Sequence, residues 1–214
     1  MLFRSTGAQI SSYPYSEGFE NVTIFNDNWV QGVNGTNDDI DWTRDLNGTV
    51  SSNTGPSSAV QGSYYLYTEA SGNGTGYPNK EAIIISPCFN LTGYKNAQFS
   101  FNYHWYGNNI DQASLNVEVS SDDGVNFTNV FNRPTGGTSN NSWVSSGVIN
   151  LSSYNGQTIK LKIIGITGDG QFSDMAIDNI TLTAEVDSSL GIQDELLSTF
   201  NLYPNPTYIG EIKL

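Results

Sequence analysis

Cysteine, histidine and basic residues are all scarce in this chain of 214 residues. The single cysteine, Cys88, excludes a disulfide within the chain, although many secreted bacterial domains also lack disulfides. The single histidine, His104, has no second histidine or cysteine spacing beside it that would indicate a zinc site. Eight lysines and arginines stand against 21 acidic residues, so the net charge is −13. This charge argues against nucleic acids and anionic membrane surfaces as partners, because their phosphates need basic side chains.

Long apolar runs and helical patterns are missing as well. No stretch approaches 18 apolar residues, so we expect no membrane insertion. Residues 1–10 are too short and polar for a signal peptide, and we expect the chain to be a piece of a larger secreted protein. Charged residues make up only 14% of the chain, and Asn, Ser, Thr and Gly supply most of its polarity. This composition suits short strands joined by tight turns, and predicts an all-β fold.

Alternation of apolar and polar residues locates the strands, and it is clearest over residues 96–107. We count about nine or ten short strands and no helix, which predicts a two-sheet antiparallel jelly-roll β-sandwich. The first and last strands of such sandwiches often pair, which would bring Glu20 close to Asp178. The clearest strand directs one set of side chains to the core, Phe99, Phe101, Tyr103 and Trp105, and another outward, Asn102, His104 and Tyr106.

An aspartate interrupts the closing strand, residues 174–182. Asp178 lies within a nearly alternating segment, where a carboxylate is costly unless a metal ion or several backbone donors compensate its charge. A second acidic segment, residues 37–44, carries three aspartates in four positions beside Ile40 and Trp42. That segment is either a solvated turn or a packed loop offering calcium the oxygen ligands it prefers.

Six short motifs, taken together and in order, resemble the MAM domain over roughly residues 17–183. The resemblance implies an extracellular jelly-roll sandwich used in adhesion, or as an accessory module beside proteases and receptors. Several such domains carry a structural calcium ion. The motifs are Gly18-Phe19-Glu20, Asp39-Ile40-Asp41-Trp42, Thr54-Gly55-Pro56, Tyr64-Tyr65-Leu66-Tyr67, Phe99-Ser100-Phe101-Asn102-Tyr103 and Met175-Ala176-Ile177-Asp178-Asn179-Ile180.

The resemblance also implies the calcium ligands. The chain lacks the paired cysteines of the animal domains and looks more like the cysteine-poor versions in secreted Bacteroidota proteins. Calcium and the hydrophobic core would then have to stabilise the domain without those bridges. The implied ligands are Glu20, Asp39, Asp41 and Asp178, with Asp27 a looser candidate.

The end of the chain predicts a second, incomplete unit. Residues 200–207 and 211–214 resemble the start of the type A C-terminal sorting domain of the type IX secretion system, which would make that machinery a partner. The predicted organisation is an N-terminal extension (1–16), the MAM-like domain (17–184), a linker (185–198) and a truncated sorting domain (199–214).

Catalytic patterns are weak. No Gly-x-Ser-x-Gly nucleophile motif is present, and Asp111, Glu118 and Asp122 could equally be scattered over a surface as paired across a cleft. We therefore expect a secreted or cell-surface module without catalytic activity. It would bind an extracellular protein or glycan, beside a catalytic domain such as a metallopeptidase.

The alternative interpretation is a carbohydrate-binding module for an extracellular polysaccharide. Jelly rolls bind sugars by stacking rings on exposed aromatic side chains, while nearby amides and carboxylates bond the hydroxyls. Trp105 shares the face of Phe99 and Phe101, so we assign it to the core. The candidates for such a platform are the outward-facing Asn102, His104 and Tyr106, together with the aromatic side chains of Tyr64 and Tyr67.

Overall fold

A computed structural model describes residues 9–133 and 140–190, without the side chains of Ile24 and Leu190. Thirteen strands, numbered β1 to β13 along the chain, form two antiparallel sheets in this part of the chain. The seven-stranded sheet has the order β10 (Asn140–Ser145), β7 (Tyr94–Trp105), β13 (Met175–Val186), β4 (Tyr64–Tyr67) and β3 (Thr43–Leu46), with β1 (Tyr15–Glu17) on β13 and β11 (Ile149–Asn150) on β7. The six-stranded sheet has the order β2 (Val30–Gln31), β5 (Glu81–Ile85), β12 (Thr158–Ile166), β8 (Ser114–Ser120) and β9 (Thr128–Asn132), with β6 (Phe89–Asn90) on β12.

The predicted two-sheet antiparallel jelly-roll β-sandwich is confirmed. The side chains predicted for the core lie between the sheets: Phe99 and Phe101 are each 1% exposed, and Trp105 is 2% exposed. Strand β5 is buried on both faces, because Ala82 and Ile84 pack in the main core while Ile83 and Ile85 pack with Ile164 in a second cluster.

The prediction of no helix is wrong at one point. Helix α1 (Val22–Asn28) follows β1, and Asn21 begins it by accepting a hydrogen bond from the Thr23 amide through its side chain. Phe25 and Trp29 are four residues apart, so both lie on the buried face of this turn. Seven residues are too few to show a helical apolar period in a sequence. The described residues also contain three short 3₁₀ helices, Ile110–Gln112, Ser152–Tyr154 and Ser188–Leu190.

The first and last strands pair, as predicted. Glu17 of β1 lies opposite Ile180 of β13, and β13 lies at the centre of its sheet between β7 and β4. Strand β13 continues to Val186, two residues beyond the boundary predicted at 184. Most of the predicted linker and the whole predicted sorting domain lie outside the described residues.

The connection between β3 and β4, residues 47–63, lies over the outer face of the seven-stranded sheet, and we refer to it as the covering loop. The Tyr65 hydroxyl donates to the Asn47 carbonyl at 3.1 Å, and the Trp143 indole donates to the Ser58 carbonyl at 2.8 Å. Tyr65 is consequently fully buried although it faces away from the main core. Outward-facing residues of β4, β7 and β13 are thereby withdrawn from solvent.

Candidate functional site

Asp178 is fully buried beneath the covering loop. Its Oδ2 accepts hydrogen bonds from the amides of Val60 and Gln61, each at 3.0 Å, and its Oδ1 accepts one from Asn179 at 2.6 Å. Burial raises the pKa of this carboxyl to about 6, against the lowering effect of these donors, and the charge of Glu20 raises it further. The sequence left open whether a metal ion or backbone donors compensate the charge of Asp178, and in the structure backbone amides bind both of its oxygens.

Glu20 holds the next part of the same loop. Its Oε1 accepts hydrogen bonds from the amides of Ser63 at 2.8 Å and Tyr64 at 2.9 Å. Gly62 lies between the amide of Gln61, which Asp178 binds, and the amide of Ser63, which Glu20 binds. Its φ is +67°, and a Cβ there would come within 2.3 Å of Glu20 Oε1. We call Glu20, Asp178 and the loop amides that they bind the carboxylate clamp.

Arg44 fixes the clamp to strand β3, and we did not predict this residue. Its guanidinium donates to the backbone carbonyls of Phe19, at 2.5 Å, and Glu20, at 2.9 Å. It also stacks on the Tyr64 ring, 3.3 Å from the centroid. The only hint in the sequence is that Arg44 follows the Asp-Trp-Thr segment, and this hint does not name its partners.

The other predicted calcium ligands lie in different surroundings. Asp39 Oδ2 accepts from the Glu81 amide at 3.0 Å, and Asp39 Oδ1 lies 4.0 Å from the Lys80 ammonium. Asp41 lies beside the amide of Asn34. Asp27 is exposed on α1.

The structure therefore brings Glu20 and Asp178 together without gathering all five predicted ligands. In the described parts of the chain, no three side chains of Asp, Glu, His or Cys converge as metal ligands. Calcium takes six to eight oxygen ligands. The clamp offers two carboxylates, so an ion held there would need carbonyl or water oxygens for the remaining positions.

The predicted aromatic platform is not assembled as an exposed surface, because Tyr64 packs against the main core and two of the outward-facing residues are covered. His104 and Tyr67 are 2% and 4% exposed, too little to stack on a sugar ring. Tyr64 lies under Arg44, and Asn102 accepts a hydrogen bond from the Asn179 side chain at 3.0 Å. Tyr106 is partly exposed and lines a small cavity beside the covering loop.

His104 is held as a neutral side chain. Burial lowers the pKa of its imidazole to about 4, so the ring carries no charge at neutral pH. Its Nε2 lies 3.1 Å from Asn141 Oδ1, an acceptor, and therefore carries the proton. Its Nδ1 has no hydrogen-bond partner among the described residues.

Asp174 is a second buried carboxyl on this face and was not predicted as a site residue. It is fully buried, and its Oδ1 accepts from the Ala70 amide at 2.8 Å, whereas its Oδ2 has no partner among the described residues. Burial raises the pKa of the carboxyl to about 7, and the charge of Glu69 adds to the rise. The sequence contains one indication of this residue, because Asp174 and Asp178 are an even number of positions apart and would therefore point to the same face of a strand.

The two antiparallel sheets and the covering loop held by the carboxylate clamp define the class of protein, a jelly-roll β-sandwich with a loop bound over one sheet. The profile of the MAM domain, meprin/A5/mu, matches residues 23–186, so the chain belongs to the MAM family. The MAM domain-containing glycosylphosphatidylinositol anchor protein 1 of Rattus norvegicus is 32% identical over 176 residues. The match covers 76% of this chain and 17% of that protein, and the Homo sapiens protein of the same name matches at 32% over 175 residues.

Two solved structures share the fold. The K1 cleaved adhesin domain of Lys-gingipain from Porphyromonas gingivalis W83 superposes with a TM-score of 0.53 at 18% identity. That match covers 80% of this chain and 98% of the adhesin domain. The K2 cleaved adhesin domain of Lys-gingipain gives a TM-score of 0.51 at 18% identity, covering 79% and 99% of the two chains.

Proposed function

We propose that this chain is a calcium-stabilised, non-catalytic recognition and adhesion module of a larger extracellular or cell-surface protein. The observation that carries the proposal is the family match, which spans nearly the whole described sandwich. The likeness in fold to two gingipain adhesin domains supports the same assignment. The chain spans only 17% of the length of the curated relatives it matches, which is consistent with a module of a longer protein.

The burial of three titratable groups, His104, Asp174 and Asp178, supports a role without catalysis. A general acid or base must come within hydrogen-bond reach of its substrate, directly or through one water. His104 is 2% exposed, and Asp174 and Asp178 are fully buried. The covering loop thus stands between these groups and a substrate. Catalysis would belong to a neighbouring domain, such as a metallopeptidase.

The carboxylate clamp supports the calcium component. Asp178 lies close enough to Glu20 for the charge of Glu20 to raise the pKa of the Asp178 carboxyl. A divalent cation beside them would offset this repulsion, and carbonyl and water oxygens would complete its coordination.

The proposed location is the cell surface or the extracellular space. Two comparisons support it, since one relative is named as a glycosylphosphatidylinositol anchor protein and the structural neighbours are adhesin domains. No helix in the described part of the chain combines the length and apolar character needed to cross a bilayer. Export through the type IX machinery stays a prediction from residues 199–214.

Bead adhesion tests the function. Beads coated with the chain are applied to immobilised extracellular-matrix proteins and to a glycan array, with heat-denatured chain as the control. We expect saturable binding to at least one surface, and no turnover of peptidase or glycosidase substrates. Substrate turnover without saturable binding to any surface would contradict the proposal.

A further inference from the structure

A cavity of about 190 Å³ opens where the covering loop meets the end of β7. Its walls are formed by residues 48–49 and 51–57 of the loop together with Tyr106 and Asn141. We propose that this cavity is a subsite for one neutral sugar ring, an inference that rests on the recognition function proposed above and names its ligand class.

The chemistry of the walls favours an uncharged, hydroxyl-rich ligand. The lining residues carry no charged side chain, although the chain as a whole has a net charge of −13. Hydroxyl and amide groups predominate, and each hydroxyl can both donate and accept, as the hydroxyls of a sugar do. Tyr106 and Pro56 supply the two rings of the lining, which offer an apolar surface for one face of a sugar ring.

Asn141 is oriented by the buried side of the site. Because His104 Nε2 donates to Asn141 Oδ1, the amide nitrogen of Asn141 is directed away from the imidazole. His104 is itself 98% buried, and its ring packs edge-on against both Tyr106 and Trp143. His104 is thus a positioning residue, and Asn141 is the donor that a ligand hydroxyl would meet.

The loop wall is held in place before any ligand arrives. The Thr54 hydroxyl donates to the Tyr106 carbonyl at 3.1 Å and accepts from the Asp174 amide at 2.9 Å. The Thr49 hydroxyl donates to the Thr54 carbonyl at 3.1 Å, and the Thr49 amide donates to the Pro56 carbonyl at 3.2 Å. A wall fixed in this way loses little conformational entropy on binding.

Three other cavities of the described chain fit a neutral sugar less well. One contains the Lys160–Asp123 ion pair, with 2.6 Å between nitrogen and oxygen. Another presents the carboxylates of Asp41 and Glu69, and the last presents Glu81 with Lys162. The first two cavities have no aromatic side chain among their lining residues for a sugar ring to stack on, and in the third the Lys162 ammonium already lies over the Phe127 ring, 4.2 Å from its centroid.

The test is a titration of the ¹⁵N-labelled 214-residue chain with glucose, galactose, mannose and N-acetylglucosamine, followed by amide chemical shifts. Glucuronate and glucosamine serve as charged counterparts. We expect at least one neutral sugar to saturate with a Kd on the order of millimolar, as the small size of one ring dictates. The shifted amides should lie in residues 48–57 and around Tyr106 and Asn141.

Three substitutions at two positions separate the loss of ligand contacts from the loss of the fold. Tyr106→Ala keeps the backbone carbonyl that anchors Thr54 and should weaken binding at least tenfold, whereas Tyr106→Phe should bind nearly as the wild type does. Asn141→Asp keeps the acceptor for His104, loses the amide donor, and should weaken binding about fivefold. Tyr77→Ala, a partly exposed tyrosine outside the cavity, is the matched control and should change nothing.

The outcomes divide clearly. Saturation by a neutral sugar that Tyr106→Ala weakens at least tenfold supports the subsite. The inference is overturned by shifts confined to another region, by tighter binding of glucuronate or glucosamine, or by no saturation up to about 100 mM, roughly a hundredfold above a millimolar Kd. If bead adhesion to a protein surface persists while every sugar fails, the recognition function stands and only the sugar subsite is lost.

Discussion

Three titratable side chains lie against the outer face of one sheet with almost no contact with solvent. The carboxyls of Asp174 and Asp178 have pKa values raised to about 7 and about 6, and the imidazole of His104 has a pKa lowered to about 4. Burial is the first cause in all three cases, because it disfavours whichever form is charged. The two kinds of group consequently act on stability in opposite directions with pH.

The direction in which each group changes stability with pH follows from the difference between its pKa in the folded and in the unfolded chain. A carboxyl whose folded pKa is raised stabilises the fold fully below its unfolded pKa, near 3.8, and this contribution is lost as pH rises through the folded value. His104 is favoured neutral, so its contribution is present above pH 6.5 and is lost as pH falls toward 4. Between about pH 4 and 7 the two effects partly cancel.

Substitution of Asp174 by asparagine separates these effects. Asp174→Asn keeps the acceptor for the Ala70 amide and removes the charge that burial penalises. We expect the variant to be more stable than the wild type at pH 7.5 by about 1–3 kcal/mol, and no more stable at pH 4. Urea unfolding at both pH values, with EGTA present, measures the difference.

Asp111→Asn is the matched control, because Asp111 is exposed on the first 3₁₀ helix. It should change stability by less than about 0.5 kcal/mol at either pH. A gain for Asp174→Asn that is equal at pH 4 and pH 7.5 would show that the buried carboxyl does not titrate as described.

At the scale of elements, the covering loop is fastened by side chains that bind its backbone amides. Glu20 binds the amides of Ser63 and Tyr64, and Asp178 binds those of Val60 and Gln61. Each carboxylate therefore controls its own pair of amides. Local opening of the loop should be measurable by hydrogen exchange, pair by pair.

Glu20→Gln tests this division. An amide side chain is a weaker acceptor than a carboxylate, so we expect the amides of Ser63 and Tyr64 to exchange about tenfold faster. The amides of Val60 and Gln61 should stay as slow as in the wild type. Asp27→Asn, an exposed change on α1, is the control, and equal acceleration of all four amides would contradict separate control.

Gly62 offers a second test of the same loop. Gly62→Ala introduces a Cβ at positive φ and also within 2.3 Å of Glu20 Oε1, whereas Gly147→Ala introduces one at φ +70° with open space around it. Both changes cost about 1–2 kcal/mol of backbone strain. We expect a larger loss of unfolding free energy for Gly62→Ala, and Glu20→Ala in the same chain should remove the excess. An equal loss of unfolding free energy for the two glycine substitutions would show that the Glu20 side chain moves aside without a measurable loss of stability.

The strands were predictable because their signals are local. Phe99, Phe101 and Trp105 alternate with polar residues, and that alternation alone assigns one face of β7 to the core. The same parity places His104 and Asp178 on the outer face. It does not show that this face is covered. The prediction that the aromatic platform is exposed is therefore wrong at His104 and Tyr67.

The contacts of the covering loop could not be predicted from local patterns. Val60 and Asp178 are 118 residues apart in the chain, and Thr54 and Asp174 are 120 apart. A Ser- and Gly-rich segment carries no periodicity that would reveal such partners. The family resemblance named Glu20 and Asp178 together, and the structure adds the loop amides that the two carboxylates bind and the Arg44 guanidinium that donates to the Phe19 and Glu20 carbonyls.

At the scale of the whole molecule, the sandwich places its fastened loop and its uncharged cavity at the same sheet. A binding surface carried by a rigid scaffold keeps its shape without a bound partner. Calcium at the clamp would add to that rigidity, because an ion that binds only the folded state stabilises it. The proposed module thus depends on the ion for stability and on the cavity for recognition.

Thermal and urea unfolding with calcium and with excess EGTA, on the wild type and on Asp178→Asn, tests the calcium-stabilised module most directly. We predict that calcium at a hundredfold excess over its Kd stabilises the wild type by about 2.7 kcal/mol and leaves the variant unchanged. Wild-type curves that coincide in calcium and in EGTA would contradict the account, and would mean that backbone amides alone compensate Asp178.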